Sequence, residues 1–272
     1  MTKIFRSMIA AGALACSLSL TGATATAGVG DLLVAPTRII LTNGRGTQVM
    51  LNNIGDDEAT YRISAELRRM TPEGKLEDVA TPSEAERMAQ EMVFFAPRRV
   101  TLAPNQPQAV RIAARAPQGL PDGEYRVHLL FRAVPKPRAV EDRGSGEGLS
   151  FKLIPVYGVT IPVIVRFGQL EVQAGISGAR LDTNGDKAIL VDITRRGDRS
   201  VYGNLEVTKP GEEQPIAEIR GIALYTEVAK RTIRIPVRGD YAGSLSGPVR
   251  ITYRANNNDG GGVIASADTV LQ

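Results

Sequence analysis

The sequence of 272 residues predicts an all-β protein made of two β-sandwich domains. Most of the chain consists of short runs in which apolar and polar residues alternate, which is the pattern of a half-buried strand. Turn signals such as Asn184-Gly185 and Pro210-Gly211 separate these runs at the spacing of a sandwich. Good helix formers dominate between Pro82 and Met92, and this length allows a short surface helix or a loop.

The first domain is predicted to open with a strand over Leu32 to Leu41. With a second strand over Thr47 to Asn52, it resembles the hairpin entry to a sandwich. The segment Ala59 to Met70 alternates apolar with polar or charged residues, as a strand with one solvated face does. Further strands are predicted at Val100 to Leu102, Ala109 to Ala113 and Glu124 to Val134.

One stretch differs from these strands because it is long and apolar: Ser150 to Gly168, with the sequence SFKLIPVYGVTIPVIVRFG. A typical strand has about 5 to 6 residues. Pro155 and Pro162 exclude a helix and place the strand at an edge, at a strand end or at a bulge. We therefore predict a long edge strand over 150–167, and such an edge recruits other chains unless it is blunted. The segment 135–149 before it lacks an apolar pattern and is predicted to be a mobile loop.

The N-terminal segment 1–27 has the pattern of a secretory signal peptide, with basic residues, an apolar run and then small residues. We predict that the first domain covers 28–168 and that the second covers 169–272. The single cysteine, Cys16, lies within the signal, so the exported chain has to be held together by its cores and not by disulfides.

Composition argues against several classes of function. The formal net charge of +4 is spread over mixed charges and does not predict nucleic-acid binding. The single histidine, His128, is expected to be an ordinary strand residue, satisfied or exposed, so metal sites and acid–base catalysis based on histidine are nearly excluded. Asp182, Asn184 and Asp186 alternate as at the start of a calcium loop, but Lys187 replaces the glycine that such a loop requires. The Asn-Gly pair at 184–185 favours a hairpin turn instead. No nucleophile motif and no later membrane-length apolar run occurs, so we expect no enzyme, no cofactor, no metal and no membrane insertion.

Three arginines beside apolar strands are candidates for a binding site. Arg38 interrupts the first predicted strand, Arg166 ends the long one, and Arg98 precedes another. A guanidinium presents a fork of donors that suits a carboxylate. If these arginines converge in a cleft between the domains, they form a carboxylate site.

Several segments together resemble one known family. They are PTRIIL from Pro36, FFAPRRVTLAPNQPQAVRI from Phe94, GEYRVHLLFRAVP from Gly123, the predicted loop, and the strand that ends in IPVIVR. Their order is similar to that in the periplasmic chaperones that assemble pili and fimbriae by the chaperone–usher route. The resemblance implies two immunoglobulin-like sandwiches at an angle, with a cleft between them. It also implies a periplasmic protein that captures pilus subunits lacking one strand by donor-strand complementation and delivers them to an outer-membrane usher.

The resemblance also implies the site residues. Arg38 matches the family's arginine for the subunit's C-terminal carboxylate, whereas the family's lysine position falls at or near Pro162. Arg166 or Arg98 is the candidate replacement, unless the anchor differs as in the archaic branch, which the IPVIVR run resembles. Alternation along the long strand gives two possible groove-filling faces, and we favour the one with larger, uncharged residues. That face holds Phe151, Leu153, Pro155, Tyr157 and Val159.

Two other interpretations stay open. The chain could be a structural or adhesive surface protein built of immunoglobulin-like domains, or an exported enzyme on a β-sandwich. Pilus subunits usually begin with a free donor extension and have one incomplete domain, whereas the first domain here is expected to supply its own last strand. An exposed edge also makes self-association of the free protein an expectation.

Overall fold

The computed structural model of the protein describes residues 31–42, 45–136, 156–182, 185–256 and 260–272. The predicted signal peptide over 1–27 and most of the predicted loop over 135–149 lie outside the described residues. The first part of the predicted long strand, up to Pro155, lies outside them as well.

Eighteen β-strands and one α-helix form within the described residues. The helix, α1, spans Glu84–Met92. The strands before residue 168 are β1 (Leu32–Ala35), β2 (Ile39–Thr42), β3 (Thr47–Asn53), β4 (Ala59–Glu66), β5 (Arg68–Met70), β6 (Leu76–Asp78), β7 (Val93–Ala96), β8 (Arg99–Leu102), β9 (Pro107–Ala114), β10 (Gly123–Val134) and β11 (Gly158–Phe167). The later strands are β12 (Val172–Asp182), β13 (Ala188–Gly197), β14 (Val201–Thr208), β15 (Ala217–Leu224), β16 (Lys230–Pro236), β17 (Gly247–Ala255) and β18 (Val263–Leu271).

The first sandwich consists of a four-stranded sheet, in the order β1-β3-β9-β7, and a five-stranded sheet, in the order β2-β11-β10-β4-β8. Alternate side chains of both sheets are buried in one core. Leu51 and Ile112 come from the four-stranded sheet, and Phe131 and Val163 come from the five-stranded sheet. This inward and outward alternation is the property that the sequence pattern predicted.

The second sandwich consists of a three-stranded sheet, β12-β13-β16, and a four-stranded sheet, β15-β14-β17-β18. Its core joins Val191 and Ile235 from one sheet to Leu205 and Tyr253 from the other. The buried Tyr253 hydroxyl donates a hydrogen bond of 2.7 Å to the Ile222 carbonyl, so its polar atom is satisfied inside the core. The predicted fold class, all-β with two immunoglobulin-like sandwiches, is confirmed.

The first predicted strand is broken in two. Instead of one strand over Leu32 to Leu41, β1 joins the four-stranded sheet and β2 joins the five-stranded sheet. The segment from Pro36 to Arg38 carries the chain from one sheet to the other. Pro36 has no N–H with which to continue a ladder, which explains why the strand breaks there.

Helix α1 lies where the helix formers were noted. Ser83 caps it through a capping box: its hydroxyl accepts from the Glu86 N–H, and the Glu86 carboxylate accepts from the Ser83 N–H. Ala89 and Met92 are buried against the first core, while most other helix residues are exposed or half-buried. The helix is therefore the short surface helix that the sequence allows.

Candidate binding edge and the junction of the two sandwiches

Strand β11 is paired along one whole side but along only part of the other. β10 pairs with all residues from Gly158 to Phe167, whereas β2 pairs in parallel with Val163 to Arg166. In the part of the chain that the structure describes, no strand pairs with the outer side of Gly158 to Pro162, which we call the free edge. The predicted edge strand over 150–167 is therefore wrong for Val163 to Arg166, because the broken first strand places β2 beside them.

Backbone groups of the free edge point outward at alternate residues. The Ala133 N–H donates to the Tyr157 carbonyl at 2.9 Å, and bonded and non-bonded pairs alternate along an antiparallel ladder. Gly158, Thr160 and Pro162 therefore direct their backbone groups away from β10. Pro162 is tolerated in this strand because the N–H that it lacks would not have faced β10.

Two of the five predicted groove-filling side chains lie within the described residues. Tyr157 is 56% exposed, whereas Val159 is half-buried against the core of the first sandwich. Phe151, Leu153 and Pro155 lie outside the described residues. The face that we favoured from the sequence continues along β11 as the face that points into the core of the first sandwich.

Arg38 stands where the free edge ends. Since Ile39 pairs with Val163 in a parallel ladder, the register brings Arg38 next to Pro162. This position follows from the break in the first strand, which places Arg38 directly before β2.

The side chain of Arg38 reaches the second sandwich. Its guanidinium donates to the Ser200 hydroxyl at 3.3 Å and lies 4.6 Å from the ring centroid of Tyr202. The Tyr225 ring centroid is 5.9 Å from the same guanidinium. Cation–π contacts of this kind help to hold a guanidinium in place.

Arg166 meets Arg38 at the same serine. Its Nε donates to the Glu124 carboxylate at 3.0 Å, and another of its nitrogens donates to the Ser200 carbonyl at 3.4 Å. The same Glu124 oxygen accepts from the Ser200 N–H at 3.0 Å. The Glu124 side chain is only 1% exposed, so its charge is enclosed between the two sandwiches.

Arg98 is not brought to this place. It precedes β8, which lies at the edge of the five-stranded sheet opposite to β2. Its guanidinium lies 5.2 Å from the ring centroid of Phe95. The strand order separates Arg98 from Arg38 and Arg166, so the three arginines do not converge on one site.

A second ion pair, which the sequence did not indicate, crosses the junction. Arg126 on β10 donates to the Glu227 carboxylate at 2.6 Å and lies 3.7 Å from the Tyr225 ring centroid. The Met70 N–H donates to the same carboxylate at 2.8 Å. Burial alone would raise the pKa of Glu227, but the hydrogen bond and charge of Arg126 outweigh it and hold that pKa below its usual value.

An apolar cluster surrounds these ion pairs. It joins Ile164 of β11 and Met70 of the β5–β6 hairpin to Ala223, Tyr225 and Val228 of the second sandwich. Ile164 is completely buried although it lies on the outer face of its sheet. The outer face of the five-stranded sheet is thus covered by the second sandwich beside Val163 to Arg166.

His128 lies at the boundary of this covered region, opposite Pro162 in the ladder. It is 1% exposed, and neither ring nitrogen has a hydrogen-bond partner among the described residues. Its ring meets the Tyr225 ring edge-on at 6.4 Å. Burial lowers the pKa of His128 to about 3, and the charges of Arg126 and Arg68 add to this effect. His128 is therefore a neutral, enclosed residue, not the satisfied or exposed one that we expected.

One of the missed residues had a usable signal. If 123–134 and 158–167 are aligned as a hairpin, Glu124 falls opposite Arg166, and opposite charges on facing strands commonly pair. Ser200, Tyr225 and Glu227 had no such signal, because only the docking of the two sandwiches brings them to the site.

Among the described residues, no group of three or more His, Cys, Asp or Glu side chains could hold a metal ion. Within the same residues, helix α1 is far too short and too polar to cross a membrane.

The fold and the free edge define a class: a two-sandwich β protein with an unpaired strand segment beside an arginine-containing junction. No protein-family model matches the chain, and no curated protein matches it. Solved structures do resemble it, each over about nine-tenths of this chain. The Escherichia coli chaperone DraB has 16% identity and a TM-score of 0.47, with 90% of this chain and 98% of that one covered.

Two further similar structures are complexes. One is the Salmonella enterica SafB chaperone with the SafA pilin, at 18% identity and a TM-score of 0.45, covering 90% of this chain and 98% of that chain. The other is the Acinetobacter baumannii CsuC–CsuE chaperone–tip subunit complex of archaic chaperone–usher pili, at 12% identity and a TM-score of 0.43, covering 89% and 98%. All three TM-scores lie below 0.5.

Proposed function

We propose that the protein is a periplasmic chaperone that binds pilus subunits by lending them the free edge of β11 and passes them to an outer-membrane usher. The observation that carries this proposal is the half-open strand. β11 is fully paired with β10, yet Gly158 to Pro162 offer backbone groups to a further strand. An exposed edge is normally blunted because it recruits other chains. An apolar edge that is left open therefore suits a protein that pairs this edge with a strand of its partner, as in the completion of a sheet that lacks one strand.

Binding in this proposal has two components. Backbone hydrogen bonds to Gly158 and Thr160 supply affinity that does not depend on the partner's sequence. Tyr157, together with Phe151, Leu153 and Pro155 ahead of it, fills the partner's apolar groove, and Val159 contributes from its half-buried position.

Arg38 is the proposed anchor for the partner's terminal carboxylate. Its place at the end of the free edge and its contacts with two tyrosine rings support this role. Arg166 acts as a positioning residue, because Glu124 and Ser200 already engage its guanidinium. Pro162 leaves the family's lysine position without a cation, so the anchor rests on Arg38.

The proposed role is non-enzymatic, and it assigns 1–27 to export, 28–168 to the lending domain and 169–272 to the second domain. The two domains act together, because Arg38 and Arg166 of the first contact Ser200 of the second.

The backbone component has a direct test. Thr160→Pro removes an N–H that faces the free edge and leaves the pairing with β10 intact, whereas Thr160→Val keeps that N–H. We expect the proline variant to lose most capture of a co-expressed subunit and the valine variant to retain it. Circular dichroism and the unfolding midpoint control for the fold. Equal capture by a folded Thr160→Pro variant would show that the edge is not the binding element.

A further inference from the structure

Three arginines form a row across the five-stranded sheet. Arg99 of β8 lies directly opposite Arg62 of β4, and Arg62 lies directly opposite Arg132 of β10. The next position in the row, on β11, is Gly158. All three arginine residues are exposed. The row therefore runs across the outer face of the sheet and ends at the free edge.

This arrangement costs stability in the free protein. Directly opposite residues in a ladder have Cβ atoms about 4.5 to 5.5 Å apart, and like charges in that position repel. None of the three guanidiniums forms an ion pair or hydrogen bond with any residue that the structure describes. In contrast, Arg126 and Arg166 on the same face are matched by glutamates.

The row borders a depression of about 440 Å³. Arg62 and Arg132 line it together with Leu130, Val134 and Val156. At the end of the row, Gly158 has no side chain that could stand between the arginines and an added strand. A Cβ at this position would lie 2.9 Å from the Leu130 side chain. A strand added at the free edge would thus place its own residue next in the row, beyond Gly158.

We propose that this arginine row binds carboxylates on the protein whose strand pairs with the free edge. These carboxylates belong to the partner residue that lies beside Gly158 in the row and to residues adjacent to it. The inference rests on the proposed function. Charge complementarity selects an acidic polypeptide, because the row lies beside the edge where a polypeptide strand pairs. A nucleic-acid backbone or an anionic membrane fits less well: the row spans two strand spacings, about 10 Å, and Glu66 lines the same depression.

The test compares two single variants that remove the same charge. Arg62→Ser removes the central arginine of the row. Arg111→Ser removes an exposed arginine from the four-stranded sheet, where its opposite residues are Gln48 and Ala96. We expect Arg62→Ser to lower the association rate with a captured subunit on the order of fivefold and to flatten its salt dependence, whereas Arg111→Ser leaves both unchanged. Arg62→Lys should retain the rate.

Stability supplies a second readout. Because repulsion in the row is relieved, Arg62→Ser should raise the Tm of the free protein above that of Arg111→Ser by about 1 to 3 °C. A variant that is more stable and yet captures more slowly distinguishes a binding row from a row that merely supports the fold.

The outcomes separate the two proposals. If the wild-type protein captures no subunit, the proposed function fails. If it captures subunits but Arg62→Ser and Arg111→Ser behave alike, the arginine row has no part in binding and this inference is overturned. Binding of a DNA duplex or of phosphatidylglycerol vesicles that depends on Arg62, with subunit capture unchanged, overturns the assignment of an acidic polypeptide.

Discussion

The two halves of β11 have similar apolar sequences and opposite surroundings. Val163 to Arg166 lie between two strands and beneath the second sandwich, whereas Gly158 to Pro162 have a strand on one side only. Hydrophobicity alone therefore does not decide which part of a strand is available to a partner. The neighbours decide it, and here they are β2 and the cluster around Tyr225.

The strongest test of this contrast is a pair of truncations. Ile164 is completely buried in the junction cluster, so Ile164→Ala should lower the free energy of unfolding by about 3 kcal/mol or more. Thr160→Ala, in the open half, should change it by about 0.5 kcal/mol or less. Urea unfolding measures both. Similar losses at the two positions would mean that the open half is covered in solution.

The next test concerns the enclosed carboxylate at the covered end. Glu124→Ala leaves the Arg166 guanidinium at the junction without its carboxylate, and breaking a buried pair costs about 3 kcal/mol. Glu218→Ala breaks an ion pair with Arg220 whose side chains are 33% and 77% exposed, so it should cost much less than the loss of Glu124. Chemical unfolding of both variants gives the comparison, and equal losses would contradict the enclosed geometry of Glu124.

The smallest expected effect is a pH dependence at the boundary of the two halves. The pKa of His128 is about 3 in the folded chain, against 6.5 for an ordinary histidine. The unfolded chain therefore takes up a proton as the pH falls below 6.5 while the folded chain does not. Stability should therefore fall as the pH is lowered, by about 2 kcal/mol between neutral pH and pH 5.

Replacing this histidine by a residue that does not titrate isolates its contribution. His128→Leu should flatten the dependence of the unfolding free energy on pH between 6.5 and 5, where ordinary carboxylates contribute little. The variant should be at least as stable as the wild type at pH 5, because neither ring nitrogen has a partner among the described residues to lose. An unchanged pH dependence would mean that His128 is hydrated in solution.

The fold could be predicted from the sequence because alternation is a local property. β3, β4 and β10 lie where apolar and polar residues alternate, and α1 lies among the helix formers. The break of the first strand was missed, although Pro36 stands at it. A proline can end a strand or sit at its edge, and the sequence does not say which.

The candidate site was predicted only in part, since most of its contacts join residues distant in the chain. Arg38 and Arg166 were identified from their positions beside apolar strands. The parallel pairing of β2 with β11, which separates the covered half from the open half, joins Ile39 to Val163 across the whole first sandwich. No local pattern encodes this pairing, nor the approach of Tyr225 to Arg126.

The point at which β2 begins has a consequence for any strand that joins the free edge. Such a strand cannot pair beyond Pro162, because β2 already pairs with the next residues of β11. Arg38 lies at that limit. Arg38 therefore fixes the register of any strand that joins the free edge. In the proposed complex, this register depends on how many residues separate the partner's C-terminal carboxylate from its paired strand. A tail one residue longer or shorter would turn every inward side chain outward.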